Sequence, residues 1–290
     1  MTITSLKIAA LILMTIDHIG TLVFPHVMWM GYLGRLSAPI FVFCVTEAMR
    51  NTSSQKKYLV KLFGFSLVTT FLFYITMLVN FCLTGQMSRI PLNVTGLLFQ
   101  GALLIYIIEA VRQKKDKWQW FLLAYVFYQI IMNVLQQLIL QANFGYEIWI
   151  TGPISSIRTA GVLWIILFLV FYYSKQRTTE NYIIYCIVVW LIGAFHIFAR
   201  IGARLQFYGS KYGFKIASDI YQLVFGKFLG LNTMVIRGIS LHDYQWLMVF
   251  SIIFIMFYNG KYGRGMKKLF YVYYPLHIIV LYFVGQYIAG

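Results

Sequence analysis

The sequence predicts an all-α fold: a polytopic membrane bundle of about nine to ten transmembrane helices. Three observations carry that reading. Hydrophobic residues make up 60% of the 290 positions and charged residues only 11%, against about 25% charged in a typical soluble domain. Apolar runs recur from end to end, about nine of them long enough to supply the roughly 20 helical residues that cross a hydrocarbon core. The runs are continuous rather than alternating, which excludes a strand-period barrel. A secreted domain, a cytosolic enzyme and a single-anchor protein are excluded with it, and residues 1–290 read as a single transmembrane domain.

Taken in order, the runs are Leu6 to Phe24, Trp29 to Met49, Leu59 to Leu83, Leu92 to Val111, Trp120 to Leu140, Thr159 to Tyr173, Tyr182 to about Arg200, Tyr244 to Tyr258 and Leu269 to Ile288. The 24 Lys and Arg outnumber the 8 Asp and Glu, a net charge of +16. In a soluble chain this would raise nucleic-acid binding. Here the excess sits between apolar runs, after the second, fourth, sixth and eighth, which is the mark of loops retained in the cytoplasm. Residues 50–58, 112–118, 174–181 and 259–268 are therefore expected inside, the N-terminus cytoplasmic and the C-terminus extracytoplasmic. Parity makes 201–242 an extracytoplasmic or re-entrant element, or two short crossings. No internal repeat of the transporter kind is found, and nucleic acid is not an expected partner.

Ionisable residues inside the runs carry the functional argument, because charge at mid-bilayer costs several kcal/mol or more. Asp17 and His18 lie about 9 Å from the outer end of the first run, at 1.5 Å per residue. Arg35 lies a similar distance from the same face on the second run, which travels the other way. Two antiparallel neighbours thus bring Asp17, His18 and Arg35 to one depth. Asp17 and Arg35 can neutralise one another, leaving His18 for proton transfer. Packing of a buried ion pair and a histidine is the competing reading. His196 and Arg200 share a helix face by their spacing of four. His277 lies mid-run after Pro275, and for both histidines packing and chemistry remain open. Glu47 is placed to pair with Arg50. The three cysteines, Cys44, Cys82 and Cys186, fall inside runs, with no metal-ligand spacing. No HExxH, GxSxG or phosphate-binding glycine loop occurs.

Several segments resemble the TraX family: Leu6-Lys7-Ile8 through Ile16-Asp17-His18-Ile19-Gly20, then Leu33-Gly34-Arg35 to Phe41 with Glu47 and Arg50, then Lys56-Lys57-Tyr58-Leu59 with Leu62-Phe63. Asn93 to Gly101, Tyr258-Asn259-Gly260, Lys268-Leu269-Phe270-Tyr271 and Tyr274-Pro275-Leu276-His277 are similar too. The middle, about 120 to 240, matches by hydropathy only. The resemblance implies a membrane-bound acyltransferase of the bacterial cytoplasmic membrane, with acetyl-CoA at the inner face and an acceptor outside. That acceptor is a peptide or protein N-terminal amine first, and a glycan hydroxyl or amine second. The family's Asp-His motif falls on Asp17 and His18, its Gly-Arg-x-x-x-Pro motif on Gly34, Arg35 and Pro39, and its Tyr-Pro-x-His motif on Tyr274, Pro275 and His277. After Asn93 the run Val94-Thr95-Gly96-Leu97-Leu98 departs from the family pattern on the acceptor side.

On that reading CoA phosphates are expected against Arg50, Lys56, Lys57, Arg112, Lys261 or Lys267. His18 is expected as general base or acyl carrier. Arg35 or His277 would stabilise charge on the carbonyl oxygen. Asn93, His196 and Arg200 would serve the acceptor, and no metal is expected. The rival classes are a proton-coupled transporter or flippase built on the same charged residues, and a structural subunit of a secretion or signalling system.

Overall fold

The computed structural model describes residues 1–85, 90, 94–141, 161–174, 179–194, 196–213, 215–228 and 244–289. Among them there are helices and turns and no strand. The helices are α1 (Ile3–Leu22), α2 (Met28–Gly34), α3 (Ser37–Asn51), α4 (Gln55–Thr84), α5 (Val94–Arg112), α6 (Trp118–Gln141), α7 (Gly161–Tyr173), α8 (Thr179–Val189), α9 (Ile197–Tyr212), α10 (Lys215–Tyr221), α11 (Ser251–Met256) and α12 (Lys267–Ala289). Two compact units result: Met1–Leu98 with Leu247–Gly290, and Phe99–Trp246.

Five stretches are long and apolar enough to cross a membrane: Ile3–Leu22, Met28–Asn51, Gln55–Thr84, Val94–Arg112 and Lys268–Ile288. Thr179–Gly193 with Ile197–Tyr212, bent by 44°, makes a sixth if the pair is one span. The chain is therefore a helical membrane protein. The expected fifth, sixth and eighth runs correspond to shorter apolar helices among the described residues, Trp118–Met132, Trp164–Tyr173 and Tyr244–Met256. The expected seventh run is not one straight helix. It passes from α8 through a π-helical turn at Trp190–Ala194 to a break at His196, whose φ of 46° lies in the left-handed region. Of the ambiguous 201–242, residues 201–212 and 215–228 are helical, and 214 and 229–242 lie outside the described residues.

In the first unit, α1 buries Leu6, Ala10, Met14 and His18 in one stripe at intervals of four. Thr2 caps it by accepting the Ser5 N–H at 3.2 Å. The second expected span is split into α2 and α3 at Arg35 and Leu36. Pro39 explains why the split costs little. It has no N–H to return to the Arg35 carbonyl, and a proline is tolerated in the first turn of α3. The Ser37 hydroxyl donates to the Gly34 carbonyl at 2.7 Å, so the break leaves that group satisfied.

Helix α4 has the lipid-facing polarity of a membrane helix. Val60, Phe71, Leu78 and Leu83 are exposed, while Ser66, Thr69, Thr70, Thr76 and Asn80 are buried. Lipid accepts the apolar face, and the small hydroxyl residues turn inward, where they let neighbouring helices approach. Thr70 and Thr76 return their hydroxyls to the carbonyls of Ser66 and Leu72, each at 2.8 Å.

The loop before α12 lies along the start of α1. The Ile3 and Thr4 N–H groups donate to the carbonyls of Lys261 and Tyr262 at 2.9 and 3.0 Å. Gly263, at φ 77°, makes the turn that leaves room for Thr2.

In the second unit, Gly101 leaves space for the Phe168 ring. Tyr125 donates to the Gln100 carbonyl at 3.2 Å, and Phe171 stacks on Tyr185 at 5.2 Å.

Candidate active site

The level match read from sequence is present as contact. Glycine at 34 is required because a Cβ there would fall on the Asp17 side chain, so α1 and α2 meet with nothing between them. Asp17 Oδ1 is buried and has no hydrogen-bond partner among the described residues. Arg35 stands at the break that follows Gly34, and no hydrogen bond joins it to Asp17 Oδ1.

His18 meets a residue 259 positions away. Its Nδ1 lies 2.9 Å from His277 Nε2, and both side chains are buried. The ring centres are 5.1 Å apart with planes inclined by 24°. That separation is the nitrogen–nitrogen distance plus a ring radius at each end, so the rings meet edge to edge. His277 Nδ1 donates to the Tyr273 carbonyl at 2.8 Å. The Tyr273 ring lies over His277 at 4.9 Å and 11°. Thr15 gives its own proton to the Leu11 carbonyl at 2.8 Å, so it accepts from the Tyr273 hydroxyl, also at 2.8 Å. Two layers therefore position His277: a carbonyl that fixes its proton and an aromatic plate pinned to α1.

A cleft of about 930 Å³ opens in this unit. Lys7, Lys57, Lys61 and Lys268 line it, together with Asn51, Ser53, Ser54, Tyr262, Gly263 and Gly265. These come from the start of α1, the α3–α4 loop, the start of α4 and the loop before α12. Further residues of the lining are apolar, Leu11, Met14, Leu62 and Phe65 among them, with Thr95 and Tyr274. Met14 is one helical turn before His18, and the Tyr274 ring centre is 5.9 Å from that of His277. The Tyr274 hydroxyl accepts the Val94 N–H at 3.0 Å, supplying a partner to the first N–H of α5.

The other residues singled out from sequence are distributed as follows. Lys57 lines the cleft. Lys56 and Lys261 are exposed and do not line it. Arg50 pairs with Glu47, which is 3% exposed, and Tyr258 also reaches that carboxylate at 3.4 Å. Arg112 belongs to the second unit, where it pairs with Glu109 at 3.1 Å and lies over the Tyr173 ring at 4.9 Å. His196 and Arg200 also belong to the second unit, at the start of α9, where the Arg200 N–H donates to the His196 carbonyl at 3.0 Å. Asn93 and the side chain of Lys267 lie outside the described residues.

Sequence reading did not single out Lys7, Lys61 and Lys268 for the cleft, nor Tyr273 and Thr15 for the histidine pair. Lys61 and Lys268 belong to the basic groups beside apolar runs that read as a topology signal, and Lys7 lies at the start of the first run. Among the described residues no group of three or more His, Cys, Asp and Glu is placed to hold a metal.

No curated protein and no solved structure matches the chain. The model of one family, described as TraX protein, matches residues 3–285. A match over nearly the whole length, spanning both ends that build the histidine pair, places this membrane protein in the TraX family.

Proposed function

We propose that this protein is a membrane-bound acetyltransferase that takes an acetyl group from acetyl-CoA at the cytoplasmic face and passes it to an extracytoplasmic acceptor. The observation that carries the reading is the cleft, whose lining runs from four lysines to Met14 on α1 and Tyr274 on α12, four residues before His18 and three before His277, neither of which lines it. Membership of the TraX family supports it.

The residues present fit the donor. Cofactor pockets run to about 300–1,000 Å³ and combine apolar walls with a few placed polar groups. Here the lysines supply point charges for phosphate, and the apolar part of the lining suits a thin, uncharged arm. Lys7 and His18 stand eleven residues apart on one helix, about 16 Å at 1.5 Å per residue. The donor supplies a thioester, an activated acyl carbon with a thiolate leaving group.

His18 acts as general base toward the acceptor amine or hydroxyl. The new bond forms between the acceptor nitrogen or oxygen and the acyl carbon, and the carbon–sulfur bond breaks. The acceptor proton passes to His18 and then to the departing sulfur, leaving a free thiol and a neutral histidine. Arg35 stabilises negative charge on the carbonyl oxygen, and the Asp17 carboxylate offsets the positive charge that His18 gains. The acceptor is proposed as a peptide or protein N-terminus, with a glycan as the second class.

Thermal melting of the detergent-purified protein with acetyl-CoA tests the binding half. A ligand at a hundredfold excess over its Kd stabilises by about 2.7 kcal/mol. The expected result is a clear upward shift, reduced when Lys57, Lys61 and Lys268 are changed to Gln. No shift at millimolar acetyl-CoA would overturn the proposal and favour a proton-coupled transporter.

A further inference from the structure

From the order of hydrogen bonds around the histidine pair we infer that His277 is a positioning residue: it holds His18 with its proton on Nδ1, so that the lone pair of Nε2 is the base. The inference rests on the proposed acyltransfer only for what that base acts upon.

The argument starts at a group whose role is fixed. The Tyr273 carbonyl has no proton to give, so the 2.8 Å contact requires His277 Nδ1 to be the donor. A neutral imidazole has one N–H, and its other nitrogen is an acceptor. Burial away from water favours neutral rings, since an uncompensated buried charge is costly. His277 Nε2 then offers a lone pair, and the 2.9 Å contact can close only if His18 Nδ1 carries the hydrogen. His18 Nε2 is left bare, and no described residue bonds to it.

The near-coplanar, edge-to-edge placement of the rings is that of an in-plane N–H···N bond. Free imidazole side chains prefer the opposite tautomer, so the protein selects the less common one. The logic is that of a base oriented by a third group, with a histidine and a backbone carbonyl in the place a carboxylate takes elsewhere.

This changes the part expected of His277. Its Nε2 is already engaged with His18, and its Nδ1 with a carbonyl. Neither nitrogen has a hydrogen to aim at an acyl oxygen, so that role falls to Arg35. When His18 takes up a proton on Nε2, its Nδ1–H becomes a stronger donor to His277, and the pair shares the charge without moving.

The test is the tautomeric state itself, read by nitrogen NMR on the purified full chain with ring-labelled histidine. The chain has five histidines, so His18→Gln and His277→Gln suffice to assign both signals. The expected spectrum has His18 and His277 protonated at Nδ1, and His277→Ala moves His18 toward the Nε2–H form. His18 protonated at Nε2 in the native protein would overturn the inference. A kinetic arm adds a readout that simple packing would not move. Gln at 277 can still accept from His18 Nδ1 through its amide oxygen, whereas a leucine cannot. His277→Gln is therefore expected to keep at least tenfold more kcat than His277→Leu at similar KM; equal losses would count against the positioning role. The NMR result does not depend on any transfer reaction. An Nδ1–H His18 in a chain that fails to bind acetyl-CoA would uphold the hydrogen-bond order and remove only the proposed substrate.

Discussion

Gly34 carries no side chain because Asp17 occupies the space where one would stand. Gly34→Ala forces the two apart, and overpacking of this kind costs about 1–3 kcal/mol. Lower melting and lower transfer are expected together. Gly64, with open space at its Cβ position, is the control. Gly64→Ala should be neutral, or stabilising by about 0.5–1 kcal/mol, since glycine weakens a helix interior. Equal melting losses from both changes would show that the Asp17 contact does not set the cost. Tyr273→Phe is a second residue-scale case. It removes the hydroxyl that joins α12 to Thr15 on α1, worth about 1 kcal/mol, while the ring that covers His277 stays. A small fall in melting temperature with a several-fold fall in kcat is expected, and an unchanged kcat would show that the aromatic plate needs no anchor. At this scale the sequence was informative for Asp17, His18 and Arg35, because helical rise turns residue count into depth. It was silent on Thr15 and Tyr273, whose polar atoms matter only once α1 and α12 are known to touch.

The same division holds for the elements. The outer faces of α1, α4 and α12 follow from apolar content alone. The split of the second span was legible in principle: Pro39 removes one helical N–H and disfavours helix at the residue before it, yet the surrounding apolar run hides it. The bend at His196 follows the π-helical turn that contains Gly193, and the backbone at His196 takes a left-handed conformation that few residues adopt. In α12, Pro275 removes the hydrogen bond that the Tyr271 carbonyl would otherwise receive. The proline lies between Tyr273 and His277, in the turn that builds the site. Pro275→Ala restores a helix-forming residue, up to about 3 kcal/mol more favourable in a helix interior. It also lets the turn relax away from the position that sets His277 against His18. A misplacement near 1 Å can cost about a hundredfold in rate. The expected variant melts higher and works more slowly, and one that melts lower and works normally would separate Pro275 from the site.

Across the whole chain, distance in sequence is what hid the site. His18 and His277 come from opposite ends, and no periodicity states that the first and last helices pack together. Gly285 is the trace of that contact in the sequence: a Cβ there would fall on the Leu22 carbonyl, so the two backbones touch. Charge, by contrast, was legible at this scale. In the first unit Lys7, Arg50, Lys56, Lys57, Lys61, Lys261, Arg264 and Lys268 stand where α1, α4 and α12 begin and α3 ends. At the other end the described turn from Val23 to Val27 holds His26 and neither Lys nor Arg. Retention of basic loops in the cytoplasm predicts the cleft mouth inside, on the side of the proposed donor, and His26 outside. Labelling with a membrane-impermeant thiol reagent on intact cells checks this, in a Cys82→Ala background because Cys82 is exposed. His26→Cys should react from outside, and Ser53→Cys, in the cleft lining, only after the membrane is opened. Acetyl-CoA should then protect Ser53→Cys and leave His26→Cys unaffected. The reverse labelling pattern would turn the cleft away from its proposed donor, and the acyltransferase reading would not survive it.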